Sequence, residues 1–231
     1  RRPLPPAPPP GAGTAAAQLG ATLALWAHSF QIGDYQESLV RSRSIQQLAD
    51  DHGDAVVALT ARRTRAQSLH FLGDHGTARV LAQGVLSQVG QRIPLAYTPS
   101  PISLDVSMRI VLARIHWIEG RTEQAWLTLQ ECLSFAEQDA PASMCQTLAI
   151  AAIPVALWCG RLKACADWTA RLLEQAKRYD YPHWRTWARL VEVVLDPDLA
   201  TLPAYAAALQ TLPSIQQTMY SDHLGTFEPA T

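Results

Sequence analysis

Two histidines, His70 and His75, stand on either side of Gly73, and two cysteines, Cys159 and Cys165, flank Gly160 in the same way. Pairs of this kind could ligate a metal ion, but a specific site needs further ligands at a repeated spacing. The four cysteines, Cys132, Cys145, Cys159 and Cys165, form no CxxC pair and show no zinc-ligand spacing. The sequence therefore predicts no metal, and it reads the histidines as core or surface residues and the cysteines as buried thiols of a reducing cytosol. Catalytic settings are also missing: there is no GxSxG elbow, no HExxH helix and no pair of carboxylates around a cleft motif. Nor is there a GxxxxGK[ST] phosphate loop, and Gly11-Ala-Gly13 with Gly20 follows prolines instead of a strand, unlike a dinucleotide loop. The expectation is a chain that is not an enzyme and holds no cofactor.

Binding is the chemistry that remains. The cluster Arg62-Arg63-Thr64-Arg65 could contact phosphates, yet arginines so close together on a helix point in different directions, which suits a solvated face or a partner contact. With 19 basic and 20 acidic residues and a formal charge of −1, the chain has no general attraction for a polyanion, so direct nucleic-acid binding is not expected. The longest nearly unbroken apolar run, 148–159, is too short to cross a bilayer and contains Pro154, so no membrane span is expected either.

The elements that must position a binding surface are helices. Apolar residues recur at three and four spacing almost throughout, and no strand-like alternation is convincing. Gly33, Gly73, Gly120 and Gly160 each close one helical stretch and open the next, and each is followed five positions on by a small residue: Ser38, Ala78, Ala125 and Cys165. These features predict an all-α fold, a right-handed superhelical stack of antiparallel helix hairpins of the tetratricopeptide-like solenoid type. Helices are predicted at about 14–30, 35–51, 54–72, 75–89, 104–119, 121–139, 141–159, 161–178 and 182–195. The glycine intervals of 40, 47 and 40 residues exceed the ~34 of a standard tetratricopeptide repeat, so the hairpins have longer helices or looser links. Residues 92–103, with Pro94, Pro99 and Pro101, read as a loop in the longest interval. Phe30, Phe71, Trp117 and Trp158 precede their glycines by two or three residues and should wedge adjacent hairpins together. Pro154, inside the most apolar helix, should kink it.

The rest of the chain divides around this array. Residues 1–13 are a proline-rich linker, 14–195 the helical-repeat domain of about four to five hairpins, and 196–231 an irregular cap or truncated hairpin with a helix at 202–212. A tract of proline in place of an apolar core does not look like a secretory signal, and the lack of an initiator Met suggests that further domains lie upstream.

If each glycine marks a turn, the concave face of the preceding helix is lined three, six, eight to ten and thirteen residues before it. That rule selects Thr60, Arg63, Gln67 and His70 in one hairpin, Ser107 and Arg114 in the next, and Thr147 in the one after. A groove polar and basic at one end and apolar at the other would hold an acidic peptide, a protein or a small anionic effector.

The runs VSMRIVLARIHWIEG from Val106 to Gly120, IPVALWCG from Ile153 to Gly160, HWRTWAR from His183 to Arg189 and LHFLGD from Leu69 to Asp74 resemble a known family over about residues 54–195. They look like the carboxy-terminal helical-repeat region of bacterial predicted ATPases coupled to winged-helix transcriptional regulators. The resemblance implies a DNA-binding domain and a STAND-type nucleotide-binding switch upstream, with the array as a cytoplasmic sensor biasing that switch. Without a phosphate loop here, ATPase activity would lie in those upstream domains. The alternative expectation is a free-standing tetratricopeptide-like scaffold that joins two partners.

Overall fold

A computed structural model describes residues 12–89 and 103–196. The described residues are helical, with no strand among them. In chain order the helices are α1 (Ala12–Gln31), α2 (Tyr35–His52), α3 (Ala55–Phe71), α4 (His75–Val89), α5 (Leu104–Ile118), α6 (Thr122–Glu137), α7 (Pro141–Trp158), α8 (Leu162–Arg178) and α9 (Pro182–Leu195). These match the nine expected stretches to within a few residues. Helix α1 begins at Ala12, two residues before the expected start at 14 and inside the stretch 1–13 that the sequence reads as linker. Loop 92–103, apart from Ser103, and the proposed cap after 196 lie outside the described residues.

Six helix ends share one device. The amide of the residue after the αL position reaches back five residues, as in Asp34 N to Ser29 O (2.9 Å), Asp74 N to Leu69 O (3.0 Å) and Arg121 N to His116 O (2.8 Å). The same bond recurs from Asp54, Arg161 and Tyr181. Satisfying the last carbonyls in this way needs a left-handed residue at the turn, and Gly73 (φ 88°) and Gly120 (φ 75°) supply it. Between α8 and α9 the position is instead taken by Asp180 at φ 52°. Where the turn reads Gly-Asp, the aspartate also caps the next helix: Asp34 accepts from the Glu37 amide (2.9 Å) and Asp74 from that of Thr77 (3.1 Å). Arg121 and Arg161, in the Gly-Arg turns, give no such cap.

The small residues five positions after the glycines are all fully buried: Ser38, Ala78, Ala125 and Cys165 are each 0% exposed. Only a small side chain lets each second helix approach its partner closely. Among the described residues, helices that are neighbours in sequence pack together, and alternate ones touch directly, α3 on α5, α5 on α7 and α7 on α9. The apolar interior follows chain order in three groups. One joins α1 to α3 through Trp26, Ile45 and Val57, one joins α2 to α5 through Leu59, Val85 and Met108, and one joins α5 to α9 through Leu129, Leu148 and Trp187. The aromatic wedges meet, with Phe30 edge-on to Phe71 (5.2 Å) and Trp117 stacked on Trp158 (4.5 Å).

Helix α7 departs from α geometry where the sequence predicts a kink. It is π-helical over Leu148–Ala152, immediately before Pro154. Its 18 residues are also long and apolar enough by themselves to cross a bilayer, but 67% of that stretch is buried inside the fold.

No atom lies within 4 Å of where a Cβ would sit on Gly73, so Gly73→Ala tests backbone strain alone and should cost about 1–2 kcal/mol in a denaturant melt. Asp180→Gly should do the reverse, raising stability by up to ~1 kcal/mol, because the Arg185 partner it gives up (3.1 Å) is a surface one.

Candidate functional site

All seven residues of the predicted groove are buried: Thr60, Arg63, Gln67, His70, Ser107, Arg114 and Thr147 are 0–6% exposed. These residues pack into the seams between helices and do not face open solvent. Their polar atoms fit there because helix backbones offer local acceptors. Thr60 Oγ1 donates to the Val56 carbonyl (3.1 Å), and Thr147 Oγ1 meets Cys132 Sγ at 3.6 Å. Arg63 lies over the Trp26 ring at 5.6 Å, and burial brings its pKa down to about 10. The Gln67 Oε1 and Ser107 Oγ atoms are buried without a hydrogen-bond partner.

Arg114 is the centre of the site. Its Nε donates to His70 Nε2 (3.0 Å) on α3, and its Nη1 donates to the Ile150 carbonyl (2.8 Å) on α7. The guanidinium lies over two rings, 5.4 Å from the Phe71 centroid and 4.9 Å from that of Trp158. The second bond falls where proline chemistry bears on the backbone. Ile150 is four residues before Pro154, and proline has no N–H with which to close the α-helical bond to that carbonyl. The guanidinium of a different helix supplies a donor instead.

The first bond fixes a proton. Because Arg114 donates into Nε2, neutral His70 carries its hydrogen on Nδ1, which faces His75 Nδ1 at 3.3 Å. His75 must accept there, leaving its own proton on Nε2. A relay of donors thus runs from Arg114 through His70 to His75, at the start of α4. His70 Nδ1 then has no lone pair for a metal, and no group of three or more metal-ligating side chains occurs among the described residues. The pKa of His70 is held well below its usual 6.5, first by burial, then by the charges of Arg114 and His75. That of His75 is lowered by burial and by Arg114, against the pull of Asp74.

Serine 68 is the connection that the sequence leaves unmarked. Its hydroxyl accepts from Trp26 Nε1 (3.2 Å) and meets Ser38 Oγ (2.7 Å) while donating to the Thr64 carbonyl (3.0 Å), so it joins α1, α2 and α3. A serine inside a helix has no sequence signature for such a role, whereas Pro154 does point to the carbonyl four residues before it. Burial raises the pKa of Cys132 to about 12 and those of Cys145 and Cys165 to about 11, which disfavours their reactive thiolate forms.

No family model, curated protein or solved structure matches the chain.

Replacing Arg114 with alanine leaves His70 Nε2 and the Ile150 carbonyl without this donor, and charged hydrogen bonds of that kind should make the loss about 3 kcal/mol or more. Arg65, exposed and two residues from Arg63, should tolerate alanine within about 0.5 kcal/mol. Chemical denaturation of both variants checks the contrast. Acid should also weaken the fold. His70, His75, His116 and His183 all have folded pKa values below 6.5, so the unfolded chain binds their protons more readily. Their contribution is complete above pH 6.5 and declines as the pH falls below it, which melts at pH 7.5 and pH 5.5 will show.

Proposed function

We propose that the chain is a non-catalytic sensor and interaction module, a right-handed superhelical stack of helix hairpins within a multidomain, ATP-binding transcriptional regulator. The observation that carries this reading is the polar stripe on α3 and α5, where two buried oxygens, Gln67 Oε1 and Ser107 Oγ, have no hydrogen-bond partner and the basic residues Arg63 and Arg114 are buried on the same two helices. Buried polar atoms are rarely left so, and each such atom asks for a reason. A small anionic effector carrying hydroxyl or amide donors provides one, and the burial of the stripe favours it over an acidic peptide. Such an effector would act by binding one arrangement of the stack more tightly than another, and so bias a cytoplasmic switch domain upstream.

The alternative, a free-standing scaffold, draws on a different face. Val40, Val80 and Leu127 each lie seven residues after a turn glycine, on α2, α4 and α6, and they are 46%, 64% and 64% exposed. A repeated apolar position on the second helices suits contact with a protein partner. The reading frame upstream of Arg1 separates the two: a phosphate loop supports the regulator, and a nearby start codon the scaffold.

Gln67→Leu and Ser107→Ala test the effector reading directly. Removing unsatisfied buried oxygens should leave stability unchanged or raise it by about 0.5–2 kcal/mol. The same changes should abolish the rise in Tm that an effector from a small-anion screen gives the unaltered chain. An undiminished rise in both variants would exclude the stripe. The stack itself is checked by hydrogen exchange on Trp187→Ala. In a solenoid, α8 and α9 lose protection while α2 and α3 keep theirs, whereas a single cooperative globule loosens throughout.

A further inference from the structure

We propose that the Arg114–His70–His75 relay is an acid-released latch, which holds the helices up to α4 against those from α5 onward and lets go when His75 takes up a proton. Three helices meet in the relay, with His70 near the end of α3, His75 opening α4 and Arg114 in α5. Arg114 carries the connection on to α7 at Ile150. The relay has one direction only. Arg114 can do nothing but donate, so His70 must accept at Nε2 and donate from Nδ1, and His75 must accept at Nδ1.

His70 is 3% exposed, whereas His75 is only partly buried, so water reaches the His75 end first. A proton on His75 Nδ1 turns the 3.3 Å contact into two N–H groups aimed at each other. It also places a cation at the first turn of α4, where the helix dipole is positive. The surrounding charges set the balance. Arg114 on α5 opposes the new charge and Asp74 in the α3–α4 turn favours it, with Asp74 itself under the influence of Arg65 on α3. Arg79, one turn further along α4, is held by Glu119 at the end of α5 (2.7 Å), and Glu119 also pairs with Arg121. From α2, Tyr35 stacks on Phe71 (5.0 Å) and feels Arg114. The nearby acid groups are therefore either engaged by other cations or, like Asp74, occupied in capping the helix through Thr77. Once His75 turns away, His70 loses its acceptor and both the α3–α4 turn and the α4–α5 seam loosen, with the Arg79–Glu119 pair left as a surface contact.

Hydrogen exchange on the whole chain at pH 7 and pH 5, expressed as protection factors to cancel the intrinsic pH dependence, tests the latch. In the unaltered protein, protection at residues 70–78 and 113–118 should fall roughly tenfold at pH 5, because the opened state takes up the proton that the latched His75 excludes. His75→Gln keeps a side-chain oxygen that can accept from His70 but cannot titrate, and its protection at those residues should fall less with pH, by only the part that His70 and His116 account for. An equal fall in His75→Gln, no fall in the unaltered protein, or a fall spread evenly over α8 and α9 beside His183 would each overturn the proposal. Nitrogen NMR of the histidine rings gives a second reading that needs no variant. At pH 7, His70 should be the Nδ1–H tautomer and His75 the Nε2–H tautomer, and the reverse assignment would overturn the relay.

Discussion

The backbone carbonyl of Ile150 and the guanidinium of Arg114 are the pair on which the middle of this structure depends. Proline at 154 cannot give that carbonyl an α-helical N–H, and a buried carbonyl left unpaired costs free energy comparable to a lost hydrogen bond. Arg114 meets the need from another helix, and in doing so it must be buried as a cation. A buried cation needs compensation in turn, which the rings of Phe71 and Trp158 and the nitrogen of His70 provide. One missing N–H thus sets the position of an arginine, the tautomer of a histidine and the facing of two aromatic rings. The π-helical turn at Leu148–Ala152 belongs to the same compensation, since wider winding just before proline relieves the clash of its ring with the preceding turn.

The distribution of polar residues follows from packing in two directions at once. Each of the first helices α3, α5 and α7 touches the second helices beside it in sequence and also a first helix of an adjacent pair. It therefore has little free surface, and α3 and α5 are buried over most of their residues. The second helices have an outer face, which is where Val80 and Leu127 stand exposed and the surface ion pairs Arg171–Glu137 and Lys163–Asp167 occur. Buried polar residues on the first helices are specific in a way that apolar ones are not. His70 and Arg114 fit only one relative placement of α3 and α5, whereas leucines tolerate several.

The helices and their turns were legible because their signals are local. Positive φ at a helix end calls for glycine, a capping aspartate follows it, and a small residue five positions on permits close approach; all three can be read from neighbouring letters. Asp180 and Gly53 show the limit, since the first does glycine's work without being glycine and the second closes α2 outside the regular glycine series. The stripe from Thr60 to Thr147 was legible as a line of residues, because helical spacing places them on one face. Whether that face meets water or another helix is not a local property. It depends on how close α3 and α5 approach, and nothing in the spacing of either helix states the distance between them.

The same distinction explains why Arg114 was found for one reason and matters for another. Six residues before Gly120 is a position that repeat geometry marks as facing a groove, and arginine there suggests an anion. The proline forty residues later changes that reading, because it creates an acceptor that only a long, multiply donating side chain from α5 can reach. A lysine has the charge but not the fork: it cannot direct one planar donor to the imidazole of His70 and another to the Ile150 carbonyl while presenting a flat cation to the rings of Phe71 and Trp158. Arginine at 114 and proline at 154 therefore form a single structural unit. A reading of this chain that takes either residue alone, as a groove cation or as a helix kink, misses the bond that joins the third helix pair to the fourth.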